Sequence, residues 1–97
     1  MDGIADIARV LAEIREPQTV ERLLRELLTK SEAKKLSLRW EIVRFLFAGK
    51  SQRTIAQQLG VSLCNITRGA RELKKKGSTL KRVLEQHPST FHPQTKG

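Results

Sequence analysis

Apolar residues recur every three or four positions along this chain, and no segment alternates strictly between apolar and polar residues. The first spacing places apolar side chains on one face of a helix, whereas strict alternation is typical of a half-buried strand. The pattern therefore predicts an all-α fold. Residues that favour helix starts and helix ends divide residues 1–86 into six helices of a single domain. Residues 87–97 contain two prolines and no periodicity, which predicts a disordered tail.

The outer helices of this prediction are short. The first carries apolar residues at positions 4, 7, 11 and 14 and ends near Arg15, because Pro17 disfavours its continuation. Pro17 instead suits the first turn of the second helix, and the sixth helix ends before Pro88. Isolated helices shorter than about 12–15 residues are marginal in water. We therefore expect the outer helices to be stabilised as the interface of a homodimer.

The third helix is predicted to be the centre of the fold. Thr29 followed by Glu32 is a capping-box signature, which places the start of this helix. The helix runs to about Ala48, and Gly49 suits the left-handed residue that ends a helix. The side chains predicted to face inward are Leu36, Trp40, Val43, Leu46 and Phe47. We interpret Trp40 as part of the core rather than as a ligand-binding residue.

Residues 52–71 match a helix-turn-helix. Ser51 and Ser62 suit the N-caps of its two helices, and Gly60 suits a turn residue with positive φ. Ala56 supplies the small residue where the helices cross. The apolar residues predicted to wedge the pair together are Ile55, Leu59, Val61 and Ile66. The second helix is expected to continue to Lys75 or Lys76, so the unit spans about residues 52–76.

Charge indicates the partner of this unit. The chain has 19 Lys and Arg residues against 10 Asp and Glu residues, a net charge of +9. Residues 50–82 hold nine basic residues against Glu72 alone, a balance of +8, whereas residues 1–49 balance to +1. Clustered Lys and Arg residues bind phosphates by releasing counterions, so the asymmetry indicates nucleic acid. A solubilising charged face is the alternative interpretation.

Other classes of function lack the residues they need. The single cysteine, Cys64, excludes an intrachain disulfide, and two scattered histidines do not supply a metal site. No constellation of acid, base and nucleophile indicates an enzyme. No apolar run approaches the roughly 18 residues of a membrane span, and acidic residues near the N-terminus do not fit a signal peptide. We expect a cytoplasmic protein that uses neither a metal nor a membrane.

The helix-turn-helix indicates which residues contact double-stranded DNA. Gln52 and Arg53 begin its first helix, where N–H groups and positive charge suit a phosphate. Asn65 is the candidate for adenine recognition, and Leu63 or Cys64 for contact with a thymine methyl group. The full set of predicted DNA-binding residues is Gln52, Arg53, Val61, Ser62, Leu63, Cys64, Asn65, Thr67, Arg68 and Lys74. Simple solvation is the alternative for Asn65 and for the lysines at positions 74–76, and a small apolar role for Cys64.

Gly69 lies where the second helix of such a unit usually carries an apolar residue. Glycine inside a helix costs about 1 kcal/mol relative to alanine, so we infer that a ligand or a neighbouring backbone approaches closely there. A tolerated weakness of the helix is the alternative.

Several segments resemble the bacterial tryptophan repressor family. GKSQRTIAQQLGVSLCNITRGARELK is similar to the family's signature segment, with its SQR, its leucine and glycine at the turn, and its ITRG run followed by a lysine. LLTKSE and LRWEIVRFLFAG extend the resemblance over roughly residues 20–76. The resemblance implies an intertwined six-helix homodimer, a tryptophan-activated repressor that binds palindromic operators of tryptophan metabolism genes.

The resemblance also implies the residues that bind L-tryptophan as a corepressor. Arg39 and Arg68 match two arginines that sandwich the indole ring, and a planar guanidinium stacks well on an aromatic face. Leu28 and Thr29 match the end of the second helix, where carbonyls and a hydroxyl receive the ammonium group. Gly69 matches the family's glycine, which would provide space for the ligand.

Two features depart from the family's pattern. Glu72 stands where better-known members carry a serine near the ligand's amino group, and three interpretations are open. Its carboxylate pairs with the ammonium group, or changes the ligand preference, or forms an intrahelical pair with Lys75 or Lys76. The loop of residues 49–51 is one residue shorter than usual, which suggests a shifted resting angle of the helix-turn-helix.

The ligand is expected to act by positioning the helix-turn-helix. An unfilled gap beside Gly69, between Arg39 and Arg68, would leave this unit loosely packed on the third helix. A ligand that favours the DNA-binding orientation then shifts the population toward it. Two alternatives are a ligand-independent helix-turn-helix DNA-binding protein and a basic structural nucleic-acid-binding protein with weak base preference.

Overall fold

The computed structural model describes residues 2–87, and those residues form six α-helices and no strand, as predicted. The helices are α1 (Gly3–Glu13), α2 (Pro17–Leu27), α3 (Lys30–Phe47), α4 (Gln52–Leu59), α5 (Leu63–Lys74) and α6 (Thr79–Gln86). No helix in this part of the chain is both long enough and apolar enough to cross a membrane. The predicted disordered tail lies outside the described residues, apart from His87, which ends α6.

Short-range hydrogen bonds set the helix boundaries. Thr29 Oγ1 accepts a hydrogen bond from the N–H of Glu32 at 3.1 Å, and Glu32 Oε1 accepts one from the N–H of Thr29 at 2.9 Å. This reciprocal pair confirms the predicted capping box of α3. Gly49 and Gly60 adopt φ values of 94° and 66° beyond the ends of α3 and α4, also as predicted.

The chain divides within α3 into two compact units, one up to Lys35 and the other from Leu36 onward. The first unit contains α1, α2 and the beginning of α3. Neither α1 nor α2 has a buried residue. The first unit leaves three large apolar side chains of these helices exposed: Ile4, Val10 and Leu27. The two helices therefore present apolar faces that this single chain leaves uncovered. The single domain predicted over residues 1–86 stays a prediction.

The second unit has its core where α3, α4 and α5 meet. One isoleucine from each helix is fully buried there: Ile42, Ile55 and Ile66. The partly buried apolar residues that pack against them are Leu38, Phe45, Leu46, Ala56, Leu59 and Val61. Leu84 of α6 is also buried. This core confirms the predicted wedge residues of the helix-turn-helix and fixes α4 and α5 on the C-terminal half of α3.

The inward face predicted for α3 is partly wrong. Val43 is buried and Leu46 is half-buried, but Leu36, Trp40 and Phe47 are 45%, 40% and 38% exposed. These three residues share one face of the helix, because positions separated by four, seven or eleven residues recur on the same side. The core instead uses the opposite face, on which Ile42 lies. Trp40 is therefore not a core residue of this chain.

Candidate nucleic-acid interface and ligand site

The helix-turn-helix is held together by a tight turn and a polar link. The N–H of Gly60 donates to the carbonyl of Ala56 at 2.9 Å, which closes the turn after α4. The hydroxyl of Thr67 donates to Oε1 of Gln52 at 3.3 Å and joins α5 to the start of α4. The apolar wedge and this hydrogen bond together fix the angle between the two helices.

The start of α5 combines a firm N-cap with exposed side chains. Ser62 Oγ accepts a hydrogen bond from the N–H of Asn65 at 3.4 Å, so the hydroxyl caps the helix as predicted. Leu63, Cys64 and Asn65 are exposed at this end, and Cys64 is a free thiol. In helix-turn-helix proteins the N-terminal residues of the second helix are the ones that reach base edges. The geometry therefore suits these three side chains to base recognition.

The predicted DNA-binding residues all lie in the second unit, and most of them are exposed. Eight are exposed: Arg53, Ser62, Leu63, Cys64, Asn65, Thr67, Arg68 and Lys74. Gln52 is half-buried and holds the hydroxyl of Thr67, and Val61 is half-buried against the core. Gln52 and Val61 therefore have structural roles that compete with DNA contact. The DNA contacts of the whole set stay predictions.

Gly69 marks the point where α5 crosses α3. A Cβ atom at this position would lie 3.2 Å from Cγ1 of Val43, 3.4 Å from Cγ2 of Ile42 and 3.5 Å from Cδ1 of Leu46. Side chains of α3 thus fill the direction in which a Cβ atom of Gly69 would project. The unfilled gap predicted between Arg39 and Arg68 stays a prediction. A close approach at the glycine is confirmed, but the groups that approach are side chains of α3 rather than a backbone. Sequence reasoning missed Ile42, although its spacing from Leu38 and Leu46 follows the helical period.

The two arginines predicted to hold an indole ring are both exposed in the second unit. Arg39 lies four residues before Val43, so it occupies the same face of α3 within one turn of the crossing point. Arg68 immediately precedes Gly69 on α5. Arg39 and Arg68 therefore lie on the two helices that meet at Gly69, each within one turn of the crossing along its own helix. Their joint contact with a ligand stays a prediction.

Leu28 and Thr29 belong to the first unit, where they join α2 to α3. The N–H of Leu28 donates to the carbonyl of Leu24 at 3.0 Å and ends α2. The hydroxyl oxygen of Thr29 already accepts the N–H of Glu32. A threonine hydroxyl has a second lone pair, so this oxygen retains the capacity to accept one more donor. The ligand roles predicted for both residues stay predictions.

Glu72 forms one of the interactions that its position suggested. Its Oε2 lies 3.0 Å from Nζ of Lys75, three residues further along the chain. Both side chains are about half exposed, so the pair contributes little to stability. Glu72 also lies three residues after Gly69, on the face of α5 that approaches α3. The ligand roles predicted for its carboxylate stay predictions.

Within residues 2–87, no group of three or more His, Cys, Asp and Glu side chains is arranged to hold a metal ion.

Comparison with known proteins identifies related chains over most of this sequence. The family model described as Trp repressor protein matches residues 3–88. A Trp operon repressor homolog of Vibrio campbellii is 46% identical over 74 residues, which cover 71% of this chain and 74% of the relative. A Trp operon repressor homolog of Chlamydia caviae is 33% identical over 85 residues, which cover 87% of this chain and 84% of the relative. No solved structure matches at a significant level.

The family model spans all six helices, including the helix-turn-helix and the α3–α5 crossing. The two relatives support the same assignment, because 46% and 33% of the aligned residues are identical to those of this chain. The chain therefore belongs to the Trp repressor protein family, a family of helix-turn-helix, DNA-binding transcriptional regulators rather than enzymes.

Proposed function

We propose that this protein is a homodimeric repressor that binds palindromic operators of tryptophan metabolism genes and is activated by L-tryptophan. The observation that carries the proposal is the close α3–α5 crossing at Gly69, because each of the two helices that meet there carries an exposed arginine within one turn of it. A ligand that binds at this crossing acts directly on the position of α5.

The surface of the helix-turn-helix supports specific DNA binding. The balance of +8 over residues 50–82 supplies attraction to phosphate, which is independent of sequence. The exposed residues at the start of α5 supply a hydrogen-bonding amide in Asn65 and apolar contacts in Leu63, which are the groups that distinguish base pairs. Attraction and recognition thus come from one unit of the chain.

The uncovered apolar surfaces support the homodimer. The α1 and α2 helices contain no buried residue, and α3 exposes a face with Leu36, Trp40 and Phe47. Exposed apolar surface of this kind marks protein–protein contacts. A second copy would bury it and would present two DNA-reading helices. Dimeric helix-turn-helix proteins, Trp repressors among them, read half-sites about one helical turn apart.

The residues around the crossing fit a tryptophan molecule chemically. The guanidinium groups of Arg39 and Arg68 are exposed and free to stack on an aromatic ring or to pair with a carboxylate. Glu72 would accept hydrogen bonds from the ammonium group, in exchange for its bond to Lys75. The roles that the resemblance implies for Leu28 and Thr29 of the first unit, a carbonyl and a hydroxyl that accept from the ammonium group, stay predictions.

The same crossing explains how ligand binding could alter DNA binding. At Gly69, α5 approaches α3 so closely that an added Cβ atom would lie 3.2–3.5 Å from side-chain atoms of α3. Arg39 and Arg68 lie on the two helices that meet there, so a group held by both arginines couples the helices to each other. The orientation that binds such a group better is favoured by the difference in affinity, and DNA and ligand strengthen each other's binding reciprocally.

One observation favours a second candidate function, a helix-turn-helix repressor that needs no ligand. The contact at Gly69 is already close in the single chain, so α5 has a defined resting position on α3. If that position matches DNA, a ligand adds nothing. This candidate predicts that L-tryptophan changes neither the melting temperature nor the affinity for DNA.

Titration calorimetry with L-tryptophan tests the proposal. We expect saturable binding to the wild-type protein and a loss of affinity of about 2- to 30-fold in Arg39→Ala and in Arg68→Ala, the range of one cation–π contact. The matched control is Arg53→Ala, which removes an exposed arginine of the same unit from α4. It should weaken DNA binding and leave the heat of ligand binding unchanged.

Two results would overturn the ligand site. Absence of heat with the wild-type protein would leave the ligand-independent repressor as the better account. Equal losses of ligand affinity in Arg39→Ala and Arg53→Ala would show that the arginines act through overall charge.

A further inference from the structure

The corner between α5 and α6 carries a group of cations, two of which lie beyond the helix-turn-helix. The group, here named the basic corner, consists of Lys74, Lys76, Lys81 and Arg82. All four are exposed, and none of them forms an ion pair within the described residues. Lys75, between the first two, is paired with Glu72.

The turn that forms the corner is short and well defined. Gly77 has a φ of 71°, and the N–H of Ser78 donates to the carbonyl of Lys75 at 3.1 Å. Ser78 then caps α6, because its Oγ accepts the N–H of Lys81 at 3.1 Å. Four residues thus separate the end of α5 from the start of α6, and the basic residues lie on both sides of this short turn.

Two of these cations occupy positions that the helix itself disfavours. Lys81 and Arg82 lie in the first turns of α6, whose N-terminus carries partial positive charge from the peptide dipoles. The first turn of α6 contains no acidic residue that would compensate. Lysine at the end of α5 has a structural explanation, because cations stabilise helix C-termini. The same explanation does not apply to cations at the start of α6. Their presence there lowers the stability of α6, and an anion bound beside them would offset this cost.

The apolar residues of α6 show that these cations are not needed for packing. Leu84 is buried and Leu80 and Val83 are half-buried, whereas Lys81 and Arg82 are exposed. The helix is therefore anchored by one face and presents the cations on another.

The length of α5 indicates which anion is within reach. Its twelve residues extend about 18 Å from the base-reading end to Lys74. The major groove is about 12 Å wide, so a helix that enters it with its N-terminal end has its C-terminal end near or beyond the phosphates at the groove's edge. We propose that the basic corner binds the phosphate backbone of the same DNA duplex and extends the contact beyond the helix-turn-helix. This inference rests on the DNA binding of the proposed function.

The salt dependence of DNA binding tests the proposal. The probe is a mixed-sequence duplex of about 30 base pairs, three helical turns, titrated by fluorescence anisotropy at several salt concentrations. The variant is Lys81→Gln with Arg82→Gln. Each lost phosphate contact lowers the slope of log affinity against log salt by about 0.9. For each bound chain, we expect the slope to be about 1.8 smaller. The loss of affinity between 50 and 200 mM salt should then be about 12-fold smaller for each bound chain.

The matched control replaces Lys34 and Lys35 with glutamine. These exposed lysines of α3 lie in the first unit, and the change removes the same two charges. The proposal predicts an unchanged slope for this control. It also predicts that Lys81→Gln with Arg82→Gln does not lower the melting temperature, since the variant removes unfavourable charges from the start of α6.

The outcomes separate this inference from the proposed function. Equal slopes for the wild type and the Lys81/Arg82 variant would overturn the basic corner while leaving DNA binding intact. An equal reduction in both variants would also overturn it, because total charge would then be the cause. Failure of the wild type to bind the duplex at any salt concentration would overturn both proposals.

Discussion

The contact at Gly69 makes a quantitative prediction about substitution by alanine. In an open helix, Gly→Ala stabilises by about 1 kcal/mol. Here the new Cβ would lie 3.2 Å from Cγ1 of Val43, closer than ordinary van der Waals contact, and 3.4 Å from Cγ2 of Ile42. Val43 and Ile42 are 7% and 2% exposed, and both are β-branched side chains with one preferred helical rotamer. Neither can rotate away without disturbing the core.

The steric cost therefore outweighs the gain in helix propensity. Inserting a methyl group into a well-packed core costs typically 1–3 kcal/mol, and we take about 2 kcal/mol because only one contact falls below 3.4 Å. Gly69→Ala should then destabilise by about 1 kcal/mol, which lowers the melting temperature by about 4–8 °C in a domain of this size. Gly69→Val adds two further carbon atoms and gains less propensity, so its loss should be about 3 kcal/mol.

Thermal unfolding followed by circular dichroism measures these shifts. Gly3→Ala is the matched control, because Gly3 lies at the start of α1 with no atom within 4 Å of the new Cβ. It should leave the melting temperature unchanged or raise it. The double variant Val43→Ala with Gly69→Ala should be destabilised by less than the sum of the two single variants. The difference is the coupling energy, which we expect to be about 0.5–3 kcal/mol. A higher melting temperature for Gly69→Ala than for the wild type would refute the close α3–α5 contact.

Three further predictions concern the recognition helix, the ligand and the dimer. Ser62→Ala removes the cap whose Oγ accepts the N–H of Asn65 and should cost about 1 kcal/mol in unfolding experiments; an unchanged stability would mean that the cap does not hold α5. Glu72→Gln breaks an exposed pair with Lys75, so stability should change by less than about 1 kcal/mol. Calorimetry should show weaker binding of L-tryptophan but not of an analogue without the ammonium group, and equal effects on both would remove Glu72 from the ligand site. Trp40→Glu places a charge on the exposed apolar face of α3 and should shift sedimentation toward the monomer; an unchanged sedimentation coefficient would exclude this face from the dimer interface.

Helix boundaries were predictable because local hydrogen bonds determine them. The Thr29–Glu32 capping box and the serine caps involve residues three positions apart, so the sequence contains both partners of each interaction. The positive φ of Gly60 follows in the same way from a turn that only a few residue types adopt. Features of this kind need no knowledge of the rest of the fold.

The faces of α3 could not be assigned from the sequence alone. From Leu36 onward the helix is apolar on two sides, one with Ile42 and Leu38 and the other with Leu36 and Trp40. Periodicity identifies both faces but does not state which of them this chain buries and which it exposes. That distinction depends on where α4 and α5 pack, which is a long-range property.

The candidate site shows the same division between local and long-range information. Gly69 indicated a close approach, since glycine inside a helix needs a reason. The identity of the approaching group, the side chains of α3, depended on tertiary packing that the sequence does not display. The ion pair of Glu72 with Lys75 was foreseen as one of three alternatives, because partners three positions apart on a helix are neighbours.

The central claim is that L-tryptophan and DNA bind the same orientation of α5. Its most direct test is the affinity of the wild-type protein for a duplex selected by the protein from a random library in the presence of L-tryptophan. Fluorescence anisotropy then gives the dissociation constant with and without saturating L-tryptophan. The account predicts that the ligand tightens DNA binding by about 5- to 150-fold, the range of a coupling free energy of 1–3 kcal/mol. Equal dissociation constants in the two conditions would contradict it.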